Sequence, residues 1–146
     1  MILYMNQEVK MPSLPKRKLK EWIKMEAATY GKRVGDVTYI FCTNEIIKGL
    51  NKQYLSHNYN TDVITFDYSR NNSISGDIFI SLETVTDNAL DYKESFQNEL
   101  YRVMIHGVLH LCGIQDITDD ERAIMRQHEN EALRHLNNLL RTEYDI

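Results

Sequence analysis

Two histidines four residues apart, His106 and His110, give this 146-residue sequence its clearest chemical signal. Four residues of α-helix place two side chains about 40° apart on one face, one turn from each other. Two imidazoles at that spacing can bind one metal ion. The alternative is that both are core residues with polar partners, because an unsatisfied buried polar group costs roughly 1–3 kcal/mol.

Asp116 is the best candidate for a third ligand. Gly113 is expected to end the helix, so Asp116, six residues after His110, can fold back toward the last turn. A His, His, Asp set would leave a fourth position open on Zn²⁺, which is typical of catalytic rather than structural zinc sites. The alternative role for Asp116 is a favourable interaction with the N-terminus of the next helix.

Other potential ligands are less well placed. Cys112 lies about 200° round the helix from His110 and is expected to point away. His128 and His135 share one stripe of the last helix, where half-buried packing is the expected role, and His57 lies in a polar loop.

Glu99 and Arg102 precede the histidines near the same face of the helix. The plain interpretation is an ion pair at i, i+3 spacing. The alternative makes Arg102 an anion-binding group for phosphate beside the metal. Gly107, between the histidines, is expected to keep the neighbouring surface open for a backbone or a ligand.

The elements that must position these residues form an α+β pattern in a single domain over residues 1–146. Strands are predicted over 2–9, 37–42, 62–67 and 76–81, with 69–75 as a hairpin turn. Helices are predicted over 14–29, from a Thr43 cap to about Leu55, over 82–92, over 96–112 and from a Thr118–Glu121 capping box to about Arg141. Ser13 is the expected N-cap of the first helix, with Pro15 in its first turn, and Ser95 that of the fourth.

Composition limits the class of protein. Seventeen Lys+Arg against 21 Asp+Glu give a net charge of -4, which disfavours a protein that coats DNA without specificity. Two cysteines are too few for a disulfide framework. The sequence lacks a membrane span and a secretory signal pattern, so a cytoplasmic protein is the simplest interpretation.

One helix carries a cluster of positive charge. The predicted helix over 14–29 has a basic side formed by Lys16, Arg17, Lys18, Lys20 and Lys24. This side is either a solvated face or a surface that contacts phosphates.

The sequence resembles the YbeY endoribonucleases, which act in ribosomal RNA maturation. Their signature, His-Gly-x-Leu-His-Leu-x-Gly followed after two residues by His, corresponds to His106-Gly-Val-Leu-His110-Leu-Cys-Gly113-Ile-Gln-Asp116. Three other segments agree with the family: Asn51-Lys-Gln-Tyr54, Thr61-Asp-Val-Ile-Thr-Phe66 and Gly76-Asp-Ile-Phe-Ile80. The resemblance spans nearly the whole chain.

The resemblance implies a small mixed sheet of four strands packed with about five helices, a Zn²⁺ site and a ribonuclease selective for single-stranded RNA. Two positions depart from the family. Asp116 replaces the third histidine, and Leu55 replaces the arginine that usually follows the Tyr54 position. If that arginine handles phosphate, Arg102 or Arg70 are the candidates to replace it.

These observations predict a zinc-dependent endoribonuclease that hydrolyses single-stranded RNA, with ribosomal RNA or the ribosome as its partner. Gly107 stands where an HExxH peptidase carries its catalytic Glu, so a zinc peptidase of that pattern is disfavoured. The main alternative is a metal-stabilised ribosome-binding module with little or no nuclease activity. A hydrolase of small phosphoesters is the third hypothesis.

Overall fold

The computed structural model describes residues 1–54 and 63–141. These residues form an α+β fold, as predicted, with four strands and five helices in the order β1 (Ile2–Asn6), α1 (Lys16–Thr29), β2 (Arg33–Cys42), α2 (Asn44–Tyr54), β3 (Val63–Asp67), β4 (Ser73–Ser81), α3 (Leu82–Asp91), α4 (Phe96–Leu111) and α5 (Asp119–Arg141). Leu55 and His57 lie outside the described residues. Within the described ranges, no helix is long and apolar enough to cross a membrane.

The strands form one mixed sheet in the order β1-β2-β4-β3. β2 pairs in parallel with β1 and with β4, while β3 and β4 form the predicted antiparallel hairpin. Alternating side chains of each strand face opposite sides of the sheet. Residues such as Tyr39 and Ile78 join the main core with α1, α4 and α5, whereas Cys42 and Ile64 pack with α2 on a smaller second cluster.

Helix α4 lies against the sheet and is buried on most sides, as its apolar residues predict. Gly107 makes this close packing possible, because a Cβ atom there would lie 2.8 Å from the Cδ1 and Cγ2 atoms of Ile78 on β4. The prediction of an open surface at Gly107 is therefore wrong. The side chain of Ile78 fills that space.

The first and last helices are joined through Trp22, the single tryptophan of the chain. Its side chain is fully buried in the main core, and the indole Nε1–H donates a 2.8 Å hydrogen bond to the Ala132 carbonyl on α5. This contact satisfies the buried indole, which needs an acceptor away from water.

Most of the predicted helix ends are confirmed. The Ser95 hydroxyl accepts a 3.0 Å hydrogen bond from the Asn98 N–H, which caps α4. Thr118 and Glu121 form the expected capping box before α5, with reciprocal bonds of 3.1 and 3.0 Å. These bonds connect residues three positions apart, so local sequence is enough to predict them.

The predicted start of α1 is wrong. The helix begins at Lys16 with Pro15 as N-cap, and no side chain caps it, so Ser13 is not the N-cap. Pro15 fixes φ near −78° and its carbonyl accepts the first helical bond from Leu19, which places Ser13 two residues too early to cap the helix.

Three strand boundaries also differ from the prediction. β1 ends at Asn6 rather than at residue 9, because Glu8 has a positive φ of 59° that breaks an extended chain. β2 begins at Arg33, four residues before the predicted run, and a bulge between Val34 and Val37 separates its two parts. β4 likewise begins earlier, at Ser73.

Candidate metal centre

The C-terminal end of α4 brings the two predicted histidine ligands together. The Nε2 atoms of His106 and His110 lie 3.0 Å apart, and their rings meet edge to face at 85°. This is the geometry expected from i, i+4 spacing on one helical face.

Asp116 completes the group because of the way α4 ends. Gly113 has a φ of 99°, its N–H bonds to the His110 carbonyl, and the Ile114 N–H bonds to the Leu109 carbonyl. This pair of bonds is a Schellman motif, which reverses the chain after a helix. The reversal carries Asp116 back toward the last turn of α4.

The three side chains converge on one point. The Asp116 Oδ2 atom lies 3.3 Å from His106 Nε2 and 3.4 Å from His110 Nε2. Ligand atoms bound to zinc in tetrahedral geometry lie about 3.3 Å from each other, given bonds near 2.0–2.2 Å. The three residues could therefore hold a metal ion, and their nitrogen and oxygen donors fit one.

Solvent can reach this group. The side chains of His106, His110 and Asp116 are 18%, 29% and 32% exposed, so the site is half-buried rather than enclosed. An ion held there would keep a side accessible to a substrate.

Glu129, on α5, is a site residue that the sequence analysis missed. Its Oε2 atom lies 2.6 Å from His106 Nδ1, and the side chain is only 6% exposed. With the proton on Nδ1 donated to this carboxylate, the His106 Nε2 carries the lone pair that binds a metal.

Arg102 lies in the same buried network. Its guanidinium is 3.7 Å from Glu99, which is the predicted i, i+3 ion pair, and 3.2 Å from Glu129. It also donates a 2.9 Å hydrogen bond to Asn130. These contacts neutralise its charge and favour a structural role over direct binding of phosphate.

The electrostatic environment keeps His110 neutral. Burial lowers the pKa of His110, and the neighbouring His106 lowers it further, although Asp116 opposes both effects. The imidazole is therefore neutral at pH 7, which is the form that binds metal ions.

Among the described residues, the other candidate ligands do not join this group, as predicted. His128 Nδ1 bonds to the Tyr30 hydroxyl at 2.8 Å, and His135 Nδ1 bonds to Glu26 at 2.6 Å. Burial raises the pKa of the Cys112 thiol to about 11, so this cysteine is a neutral thiol near neutral pH rather than a metal-binding thiolate.

A cavity of about 360 Å³ opens beside the metal-binding group. His106 and Asp116 line it, and so do Tyr92 at the end of α3 and Arg122 and Arg126 on α5. Arg102 is a further lining residue, whereas Arg70, at the β3–β4 turn, is not among them.

The basic side of α1 lies largely in solvent. Of its five cationic residues, Lys18 is half-buried. The other four are exposed: Lys16, Arg17, Lys20 and Lys24. Residues from this group and from β1 line a separate cavity of about 520 Å³.

The fold and this group define a small α+β protein with a candidate metal centre beside a cavity. Its sequence matches the family model described as endoribonuclease YbeY over residues 3–137, and the chain belongs to that family. The resemblance noted in the sequence is thereby confirmed.

Relatives align over nearly their whole length. A protein named endoribonuclease YbeY from Bacteroides thetaiotaomicron is 52% identical over 132 residues, which cover 90% of this chain and 96% of the relative. One of the same name from Porphyromonas gingivalis is 41% identical, over 94% of this chain and 91% of the relative. The solution structure of TM1509 from Thermotoga maritima is similar with a TM-score of 0.65 at 25% identity, over 98% of this chain and 93% of that structure.

Proposed function

We propose that this protein is a zinc-dependent endoribonuclease that cuts single-stranded RNA during ribosomal RNA maturation in the cytoplasm. The observation that carries the proposal is the triangle of His106 Nε2, His110 Nε2 and Asp116 Oδ2, with sides of 3.0–3.4 Å, in a member of the endoribonuclease YbeY family. The role in ribosomal RNA rests on the family resemblance.

Zinc fits the donor set. Two imidazole nitrogens and one carboxylate oxygen are ligands typical of catalytic zinc, and three protein ligands leave a coordination position for substrate. When bound, such an ion supplies Lewis acidity toward a phosphoryl oxygen.

The residues of the chain prepare the site in separate ways. Glu129 holds the His106 ring in one orientation, and burial keeps His110 neutral. The Asp116 carboxylate offsets one positive charge of the ion. The adjoining cavity admits one flexible strand more readily than a stacked duplex, because unpaired bases can leave the helical stack and enter it.

The test combines metal analysis with RNA cleavage. The purified protein should contain about one zinc per chain, and it should cut single-stranded RNA while largely sparing duplex RNA. His106→Ala combined with His110→Ala should empty the site and abolish cleavage. His128→Gln is the matched control, because His128 bonds to Tyr30 outside the site. A double variant with full metal occupancy would show that the assignment of the ligands is wrong.

Asp116 is tested by two further substitutions. Asp116→Ala removes the third ligand and should weaken zinc binding by at least tenfold, while Asp116→Asn keeps a carbonyl oxygen without the charge. Zinc affinity unchanged in Asp116→Ala would exclude Asp116 as a ligand. A parent protein that holds zinc but leaves RNA intact would instead support the metal-stabilised ribosome-binding module.

A further inference from the structure

The cavity beside the metal-binding group contains a pair of side chains with no role in holding the ion. The guanidinium carbon of Arg126, on α5, lies 5.6 Å from the centroid of the Tyr92 ring, at the end of α3. Both residues line the cavity together with His106 and Asp116. A ligand that occupies this cavity can therefore contact the pair and the metal site at once.

Both members of the pair remain accessible. Tyr92 is 57% exposed, and the Arg126 side chain is 48% exposed. The nearest carboxylate to Arg126 is Glu129 at 3.7 Å, and that carboxylate is already shared with Arg102 and His106. Arg126 thus keeps donor groups for an incoming anion.

Arg122 also lines the cavity, but its guanidinium already bonds to other groups of the protein. It donates to the Ile117 carbonyl at 2.6 Å and pairs with the Asp119 carboxylate. Of the two half-exposed arginines, Arg126 is therefore the better candidate to bind a ligand.

An aromatic face beside a guanidinium matches the two chemical parts of a nucleotide. Unstacked bases stack on tyrosine rings and on arginine planes, which is the usual mode of recognition of single-stranded RNA. The guanidinium can also donate charge-assisted hydrogen bonds to a phosphate.

We infer that Tyr92 and Arg126 form a subsite for one nucleotide of single-stranded RNA, next to the phosphodiester bond at the metal centre. The base stacks on Tyr92, and Arg126 binds the adjacent phosphate. This inference rests on the proposed function and adds to it the residues that hold the substrate.

The experiment measures binding separately from cleavage. A fluorescently labelled single-stranded oligoribonucleotide is titrated with metal-free protein at several salt concentrations, and its anisotropy gives the dissociation constant. The variants are Tyr92→Ala, Tyr92→Phe and Arg126→Gln. Arg134→Gln serves as the matched control, because Arg134 lies on the same helix, is exposed and does not line this cavity.

The two parts of the subsite should give different signatures. Tyr92→Ala should raise the dissociation constant about tenfold, as expected when one base loses its stacking partner, with no change in salt dependence. Arg126→Gln should also weaken binding and should lower the slope of log K against log salt by about one. Tyr92→Phe and Arg134→Gln should stay within about twofold of the parent protein, and zinc affinity should be the same in all variants.

The outcomes separate this inference from the proposed function. If the parent cuts RNA with zinc bound while Tyr92→Ala and Arg126→Gln bind and cut like the parent, the subsite is wrong and the nuclease assignment stands. If the parent neither binds nor cuts single-stranded RNA, both are wrong. A loss of zinc affinity in either variant would also overturn the subsite, because it would show that the pair acts through the metal ligands.

Discussion

The carboxylate of Glu129 contacts one candidate ligand and one buried cation. It lies 2.6 Å from His106 Nδ1 and 3.2 Å from Arg102. A carboxylate in this position fixes the ring orientation of a metal-binding histidine and increases the electron density at its other nitrogen. The guanidinium of Arg102 compensates the negative charge of this buried carboxylate.

Glu129→Gln should weaken zinc binding by about 10- to 100-fold, because the amide keeps the shape of the side chain and loses its charge. It should also reduce the free energy of unfolding by up to about 3 kcal/mol, since Arg102 loses its nearest carboxylate. Calorimetric titration with zinc and thermal denaturation measure the two effects. The control is Glu131→Gln, because Glu131 is an exposed residue on the same helix. Equal zinc affinities in Glu129→Gln and Glu131→Gln would contradict the prediction.

The lowered pKa of His110 predicts a dependence of stability on pH. Because the folded chain protonates this ring at a lower pH than the unfolded chain does, the unfolded state binds more protons between the lowered pKa and about 6.5. The stability that His110 contributes is therefore complete above about pH 6.5 and falls as the pH drops below it. Thermal midpoints of metal-free protein from pH 7.5 to 5 should show this decline, and His110→Gln should reduce it. Parallel curves for the two proteins would contradict the prediction.

The sequence predicted the three candidate ligands but not Glu129. His106, His110 and Asp116 lie within eleven residues, and helical spacing with a glycine stop is enough to bring them together. Glu129 lies 23 residues from His106 on a helix rich in charged residues, where nothing local distinguishes it. Only the packing of α5 on α4 brings it to the site.

At the scale of elements, the contact between α4 and β4 depends on Gly107. Gly107→Ala should lower stability by roughly 1–2 kcal/mol, because the added methyl group must displace the fully buried Ile78, which outweighs the better helix propensity of alanine. The matched control is Gly49→Ala on α2, where, among the described residues, no atom beyond the glycine's chain neighbours and the nearby backbone of its own helix lies within 4 Å of the new Cβ. That variant should gain up to about 1 kcal/mol. Denaturant unfolding measures both, and a stabilised Gly107→Ala would contradict the prediction.

Element types and most helix caps followed from local sequence, whereas the arrangement of strands did not. Ser95 and Thr118 cap their helices through contacts three residues away. The order β1-β2-β4-β3 depends on pairing between distant strands, and no local pattern specifies it. The boundary errors at Ser13 and Glu8 arise where backbone conformation, rather than residue type, decides the end of an element.

At the scale of the molecule, the core is assembled without the metal centre. The main hydrophobic cluster joins the sheet to α1, α4 and α5 and includes none of His106, His110 and Asp116. We therefore expect the chain to fold without the metal, unlike small domains that fold only when metal binds.

Removal of the proposed metal ion with a chelator should leave the chain folded and lower its thermal midpoint by about 5–10 °C. This range follows from a ligand present at about one hundred times its dissociation constant and the usual sensitivity of a domain of this size. Circular dichroism in the far and near ultraviolet, with and without chelator, makes the measurement. Loss of the helical signal on chelation would contradict this expectation and support the metal-stabilised module.

The position of Trp22 makes its fluorescence a probe of folding. Since the chain has one tryptophan, its emission comes from a single place, the contact between α1 and α5, and it should be shifted to short wavelength while the indole is shielded from water. Its hydrogen-bond partner is 110 positions away along the chain. During refolding from denaturant, the blue-shifted emission should therefore appear only when the two ends of the described fold have come together, after the helical signal has begun to recover.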